Sequence, residues 1–401
     1  MGGRAAIAGG SIGGLFAAAA LTRAGWDVVV HERAGVPLAG RGAGIVTHPE
    51  LVAALQAVDA DTADLGVQVQ ERIAFDQQGR AHARMPYPQV VTSWDRMYQA
   101  LRVLIPDDRY RLGQALSGFT QDDSGVTLRF ENGTEARADL LIGTDGFRSV
   151  VRGQIAPDIQ PVYSGYVVWR ALAEEGDLDP GIRDRVFDVF GMFMPKGTQI
   201  VGYPIAGEGN DLRPGHRRYN FVWYVPTEAA DLDDMLTDAE GRRHAVSIPP
   251  PLVREAVVKR AAQRAAEWLP DVFEHVLARS ERPFFTPIYD HMSPDFAQGR
   301  VAIAGDAACV ARPHVGMGVT KAGGDALALG RHLAGVGPDG VAAALRAYSA
   351  ERVPAARAAH DRAQMLGRYI FADPATGHNR DGRNNPNQDE ILRLTAVADF
   401  G

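Results

Sequence analysis

The stretch "RAAIAGGSIGGLFAAAALTRAGWDVVVHE" spans residues 4–32 and decides the fold. Residues 4–8 read as a short strand, 12–25 as a helix and 26–31 as a second strand. A strand, a helix and a strand in that order imply a parallel sheet. "IAGGSIGG" (7–14) follows the first strand and opens the helix. Gly9 and Gly14 hold the first and third positions of a G-x-G-x-x-G fingerprint, with Ser11 in the second. Serine is small enough to let a phosphate approach. Backbone N–H groups from Ser11 and Ile12 to Gly14, reinforced by the helix dipole, would hold a pyrophosphate. Glu32 ends the second strand, 23 residues after Gly9, where an acid can grip both hydroxyls of an adenosine ribose. An acid there favours NAD or FAD over a 2′-phosphorylated nucleotide and does not separate those two. The alternative is a tight strand-to-helix corner with an exposed glutamate.

The same stretch mimics a secretory signal, with Arg4 before an apolar, Ala-rich run. Its glycines, and the strand ending in an acid that follows, make it folded structure instead. No other stretch reaches membrane-spanning length. The net charge of −7, with no run of five or more like charges, argues against nucleic acid as a partner. Cys309 is the single cysteine, so a disulfide framework is excluded and a reducing cytoplasm is expected. Its own expected role is that of a small buried hydrophobe.

At 401 residues the chain should form two domains, or one large domain with an insertion. Helices are expected at 49–58 and 93–105. A hairpin turning at Asn132-Gly133 and a buried strand ending at Gly143 should follow. From about 161 the texture changes to aromatic and β-branched segments separated by Gly/Pro turns, which read as antiparallel strands. A helix is expected within 249–270, and "RVAIAG" (300–305) returns to the first sheet. Residues 339–371 read as helical. "GVGPDG" (335–340) matches the glycine fingerprint but lies between helices, so it reads as a loop. The polar tail 377–390 reads as loose, with a short helix after it.

Two more turns carry acids. "LLIGTDGFRSVVR" (140–152) runs from a strand into Asp145-Gly146, and "IAGDAACVARPHVGMGVTKAGGDA" (303–326) stops a strand at Gly305-Asp306. Each alone could be a capped turn. Together with the N-terminal fingerprint they resemble the motif set of the class A FAD-dependent aromatic hydroxylases. "GYVVWRA" (165–171), "YNFVWYVP" (219–226), "DLDDMLTDAEGRRH" (231–244) and "ARPHVGMGVTKAGGDA" (311–326) are similar to the 2,6-dihydroxypyridine 3-hydroxylase branch of that family. The likeness runs over nearly the whole chain.

The resemblance implies an α/β, Rossmann-like FAD-binding domain of the para-hydroxybenzoate hydroxylase-like fold. A second, α+β substrate domain built on an antiparallel sheet goes with it. The implied boundaries are 1–160 and 286–345 for the first, 161–285 for the second, and 346–401 for a C-terminal helical segment and tail. It implies that the Asp145 turn positions flavin and nicotinamide phosphates and that Asp306 binds the ribityl chain. Gly305, Pro313, Gly316 and Gly318 shape the loop between Asp306 and a helix beginning near Met317–Thr320. That helix's positive end would face the flavin edge that becomes negative on reduction. Arg33, and Arg41 in "GRGAG" (40–44), fall at FAD-contact positions of the resemblance. One departure stands out: where many members begin a helix with an FAD-contacting Arg, this chain has an aromatic residue, Trp94.

The implied reaction uses NADH or NADPH to reduce FAD and O₂ to form a flavin C4a-hydroperoxide, which an electron-rich aromatic carbon attacks. A homodimer and a cytoplasmic location are also implied, with no membrane or nucleic-acid partner. Such chemistry needs water excluded and a base for the ring hydroxyl of the substrate. His314 and His48 are the candidate bases, and Tyr203 and Tyr224 are further candidates whose bland alternative is core packing. His31 reads only as a strand residue. H-E-x-x-H and Walker A motifs are missing, as are the flavin halogenase and Baeyer–Villiger signatures. No metal is expected. The rival readings are a flavin oxidase or dehydrogenase on the same fold, or a flavin-binding protein without turnover.

Overall fold

The computed structural model describes residues 3–38, 43–371 and 386–398. Arg41 lies outside the described residues, as does the tail from 377 to 385.

Strands Arg4–Ala8 and Asp27–His31 flank helix Ile12–Arg23, as the glycine pattern predicts. They sit in a six-stranded sheet in the order Ala297–Gln298, Val301–Ile303, Leu140–Gly143, Arg4–Ala8, Asp27–His31, Tyr110–Arg111. All its pairings are parallel except the first. Ala5, Ala6, Ile7 and Ala8 are buried in succession, the mark of a strand covered on both faces. Helix Ile12–Arg23 buries Ala17 through Ala20 and packs on helix Gly318–Leu333. Gly330 lies so close that a Cβ there would meet the Ala20 carbonyl at 3.2 Å. The run that mimics a secretory signal is therefore a close helix–helix seam.

A nine-stranded sheet forms the other half of the molecule. Its order is Cys309–Val310, Phe284–Met292, Val162–Glu174, Arg218–Pro226, Gln199–Ile205, Val189–Phe193, Val67–Phe75, Ala81–Ser93, Gly44–Val46. Every pairing is antiparallel except that of Val67–Phe75 with Val189–Phe193. Strand Val162–Glu174 alternates cleanly. Val167, Trp169 and Ala171 join a core with helices Glu255–Trp268 and Asp271–Ala278, while Tyr166 and Val168 face a second core. That second core includes Val315, Met317, Leu392 and Ala396, from the far end of the chain.

Residues 67–93, grouped by the sequence with the first domain, are two strands of this same sheet, so position 160 is no sheet boundary. The expected hairpin forms between Gly125–Phe130 and Glu135–Ala138, with a third strand, Leu116–Asp122, beside it. Helix Val341–Gly367 and a short helix, Gln388–Leu394, complete the described residues. No helix among them is long and apolar enough to cross a membrane.

Candidate active site

Two cavities lie beside the two expected anchor points. The first, about 290 Å³, is lined by Gly9, Ser11, Glu32, Arg33 and Asp145. The glycine turn beside it has no room for side chains. A Cβ on Gly9, whose φ is +104°, would sit 2.4 Å from the Thr144 carbonyl, and one on Gly14 would meet the Gly9 carbonyl at 1.8 Å. Ser11 is the N-cap of helix Ile12–Arg23, yet its side chain makes no capping bond. The first N–H groups of that helix therefore lack the side-chain cap that would compete with an anion.

Glu32 is buried at the end of its strand. Its Oε2 accepts from the Gly10 N–H at 2.7 Å and its Oε1 from the Ala34 N–H at 2.8 Å. It braces the glycine turn, and each oxygen keeps a second lone pair. Asp145 caps helix Val150–Ile155, accepting from the Ser149 hydroxyl and from the Val150 and Val151 N–H groups. Burial raises its pKa despite those donors. His31 also lines this cavity, held by Gln114 at 2.6 Å, its pKa lowered by burial. Sequence reasoning missed that role, together with Gln114 and Arg148, because no motif marks them.

The second cavity, about 300 Å³, holds Asp306, Pro313, His314, Gly316 and Gly318, together with Tyr203 and Tyr224 from the nine-stranded sheet. The Gly305-Asp306 turn is clamped from behind. Asp325 accepts from the Gly305 N–H at 3.0 Å, and Lys321 Nζ donates to the Gly305 carbonyl at 2.7 Å. Arg352 holds the other Asp325 oxygen at 2.8 Å. Asp306 is exposed and lines this cavity. Enough protein surrounds it for desolvation to raise its pKa. Helix Gly318–Leu333 begins here, and its N-cap, Met317, supplies no side-chain bond. Gly316 enters it through a left-handed φ of +63°.

His314 is fully buried, with Nδ1 2.9 Å from Gln199 Oε1 and Nε2 3.2 Å from the Tyr166 hydroxyl. The Gln199 oxygen only accepts, so Nδ1 carries the proton and Nε2 accepts from the Tyr166 hydroxyl. Its ring stacks on Tyr224 at 4.3 Å, and burial drives its pKa down to about 3. It thus presents a face to the cavity, with neither nitrogen free to take a proton. His48 is absent from the cavity lining. It bonds Thr320 Oγ1 at 2.8 Å, and burial lowers its pKa to about 4. Tyr203 and Tyr224 are buried, but their hydroxyls have no hydrogen-bond partner among the described residues. Burial raises both pKa values, that of Tyr224 to about 12, so both are O–H donors at neutral pH.

Around the site, Arg96 bonds Asp61 and the Ala63 carbonyl, away from either cavity just described. Cys309 is buried and its pKa is pushed up to about 11, which fits packing and not reactivity. No cluster that could hold a metal occurs among the described residues. The arrangement fits FAD. Two helix N-termini without side-chain caps open on two cavities, one beside the buried Glu32 and one beside Asp306.

A family model described as FAD binding domain-like matches residues 163–290. The chain is 36% identical over 334 residues to the 2,6-dihydroxypyridine 3-monooxygenase of Paenarthrobacter nicotinovorans, covering 81% of each protein. The solved structure of 2,6-dihydroxypyridine-3-hydroxylase from Arthrobacter nicotinovorans matches with a TM-score of 0.87 at 30% identity, over 99% of this chain and 97% of that one. A variant of Klebsiella pneumoniae HpxO, solved with FAD bound, matches with a TM-score of 0.75 at 25% identity, over 91% of this chain and 90% of that one.

Proposed function

Since the chain belongs to the FAD-dependent aromatic-ring monooxygenases, we propose that its substrate is a hydroxylated pyridine or a similarly electron-rich N-heteroaromatic ring, with NADH or NADPH as reductant. The carrying observation is the cavity beside Asp306, lined by two tyrosines whose hydroxyls bond no other described residue and are left for a polar planar ligand. The named activity of the 36% identical relative supports the same substrate class.

In this reading the adenosine half of FAD takes the first cavity, through Gly9, Ser11, Ile12, Gly14, Glu32 and Arg33. The Asp145 turn lies at its rim. Asp306 takes the ribityl chain, and the helix after Gly316 and Gly318 takes the flavin edge. Bound FAD supplies hydride acceptance and oxygen activation. The protein's part is to hold the ring, exclude water and orient donors. Tyr203 and Tyr224 donate to the ring substituents. His314, its nitrogens engaged, positions Tyr166 and Tyr224 instead of acting as the base. The functional division into FAD-binding segments (1–160 and 286–345) and a substrate segment (161–285) belongs to this proposal, as do a cytoplasmic location and a homodimeric state.

The purified protein should be yellow and release FAD on denaturation. Hydroxypyridines, 6-hydroxynicotinate and salicylate should be screened for stimulated NADH or NADPH oxidation under oxygen-18. One labelled atom should enter the ring. Release of FMN, or reductant consumption giving only hydrogen peroxide with every ring tried, would sink the reading in favour of an oxidase.

A further inference from the structure

Arg170 lies on strand Val162–Glu174, inside the nine-stranded sheet, paired with Val222 on one side and Phe284 on the other. It lines the cavity that holds Tyr203 and Tyr224, and also a larger one of about 900 Å³ that adjoins it. Among the described residues, four arginines line these two cavities. Arg312 is held by Asp290 at 2.6 Å, Arg96 by Asp61 at 3.1 Å, and Arg218 by the Ala206 carbonyl at 3.2 Å. Arg170 makes no hydrogen bond or ion pair among the described residues. A half-buried guanidinium with no counter-charge is unfavourable unless a ligand supplies one. Its fork also matches a planar anion.

We infer that Arg170 is the substrate-recognising residue of this enzyme, binding the aromatic ring as an anion together with the Tyr203 and Tyr224 hydroxyls. The anionic group is an ionised ring hydroxyl or a ring carboxylate, and either accepts from all three donors. Arg170 acts electrostatically on both tyrosines, lowering their pKa values against the larger effect of burial. The same field stabilises an ionised ring hydroxyl. The oxyanion that activates the ring is thus selected on binding, its proton left in solvent, without a histidine base. The inference rests on the aromatic-hydroxylase reading above.

The test uses the FAD-loaded enzyme without reductant, reading ligand binding by perturbation of the flavin absorbance. The probes are 2,6-dihydroxypyridine, 6-hydroxynicotinate and the neutral 2,6-dimethoxypyridine. Arg170→Met should keep its FAD and weaken the anionic probes on the order of 10–100-fold, the loss expected for a charged hydrogen bond. Affinity for the neutral probe should hold. Arg170→Lys should recover part of the loss. Whichever anion shows the selective loss identifies the recognised group. Equal losses for anionic and neutral probes, or none for either anion, would overturn the assignment. If Arg170→Met fails to load FAD, Arg170→Lys decides on the same criterion. Because binding is read without turnover, an Arg170-dependent anion site with no labelled oxygen in any ring would defeat the hydroxylase reading alone.

Discussion

Two aspartates on either side of one turn do opposite work. Asp325 is fully buried and answers Lys321, Arg352 and the Gly305 N–H. Replacing it with Ala leaves two buried or half-buried cations without their acid. Asp325→Ala should therefore cost about 3–5 kcal/mol of folding stability in denaturant titration. Asp306 faces the cleft and has no such role. Asp306→Ala should leave folding intact and weaken FAD binding by about 1.5–3 kcal/mol, as for a charge-assisted hydrogen bond. Wild-type flavin affinity in that variant would make Asp306 a piece of scaffold. Of the two, only Asp306 was legible in the sequence, because it ends a strand at a glycine. An acid within a helix carries no sign of whether it faces solvent or a buried lysine. Arg170 was likewise read only as part of a strand motif, since a missing partner leaves no trace in sequence.

At the scale of elements, helix Gln388–Leu394 and the turn after it are fastened by one guanidinium. Arg72, fully buried, donates to the Leu392, Thr395 and Ala396 carbonyls and lies 4.1 Å over the Tyr87 ring. Ala396 donates its N–H to the His314 carbonyl at 3.0 Å, and Thr395 and Ala396 wall the Tyr203–Tyr224 cavity. Arg72→Met should free this wall while FAD stays bound. Water would then reach the flavin end, and hydrogen peroxide formed per reductant consumed should rise severalfold in an oxygen-electrode assay. An unchanged ratio would mean the wall is not needed for water exclusion. The strand–helix–strand at 4–31 was legible because its glycines and apolar runs are local. The strands at 67–93 were not: Pro86 and Pro88 argue against a strand, and Val67–Phe75 pairs in parallel with the distant Val189–Phe193. Arg72 looks like a surface charge until those distant carbonyls arrive.

For the whole molecule, three buried histidines set the acid limit. Burial lowers the pKa of His48 to about 4 and those of His291 and His314 to about 3. Each binds a proton in the unfolded chain near pH 6.5 but not in the folded one. They leave stability unaffected above that pH and erode it as pH falls toward their folded values. Between about pH 6 and 5 the loss should approach about 1.4 kcal/mol per pH unit for each ring. Asp145 and Asp306, with raised pKa values, oppose this only closer to the carboxylate range. Denaturant midpoints measured from pH 8 to 5 should be level and then fall, and a flat profile would contradict the neutral buried rings. The Arg72 clasp has a further consequence, in time. Its carbonyl partners lie 320 to 324 residues downstream. At translation rates of roughly 5–20 residues per second, they emerge about 15–60 s after it does. The residues lining the cavity beside Glu32 end at Val150, and those clamping the Gly305-Asp306 turn end at Arg352. On the proposed reading, a chain still on the ribosome holds both anchor points for its dinucleotide before Thr395 and Ala396 are translated, so cofactor capture can precede closure of the ring cavity.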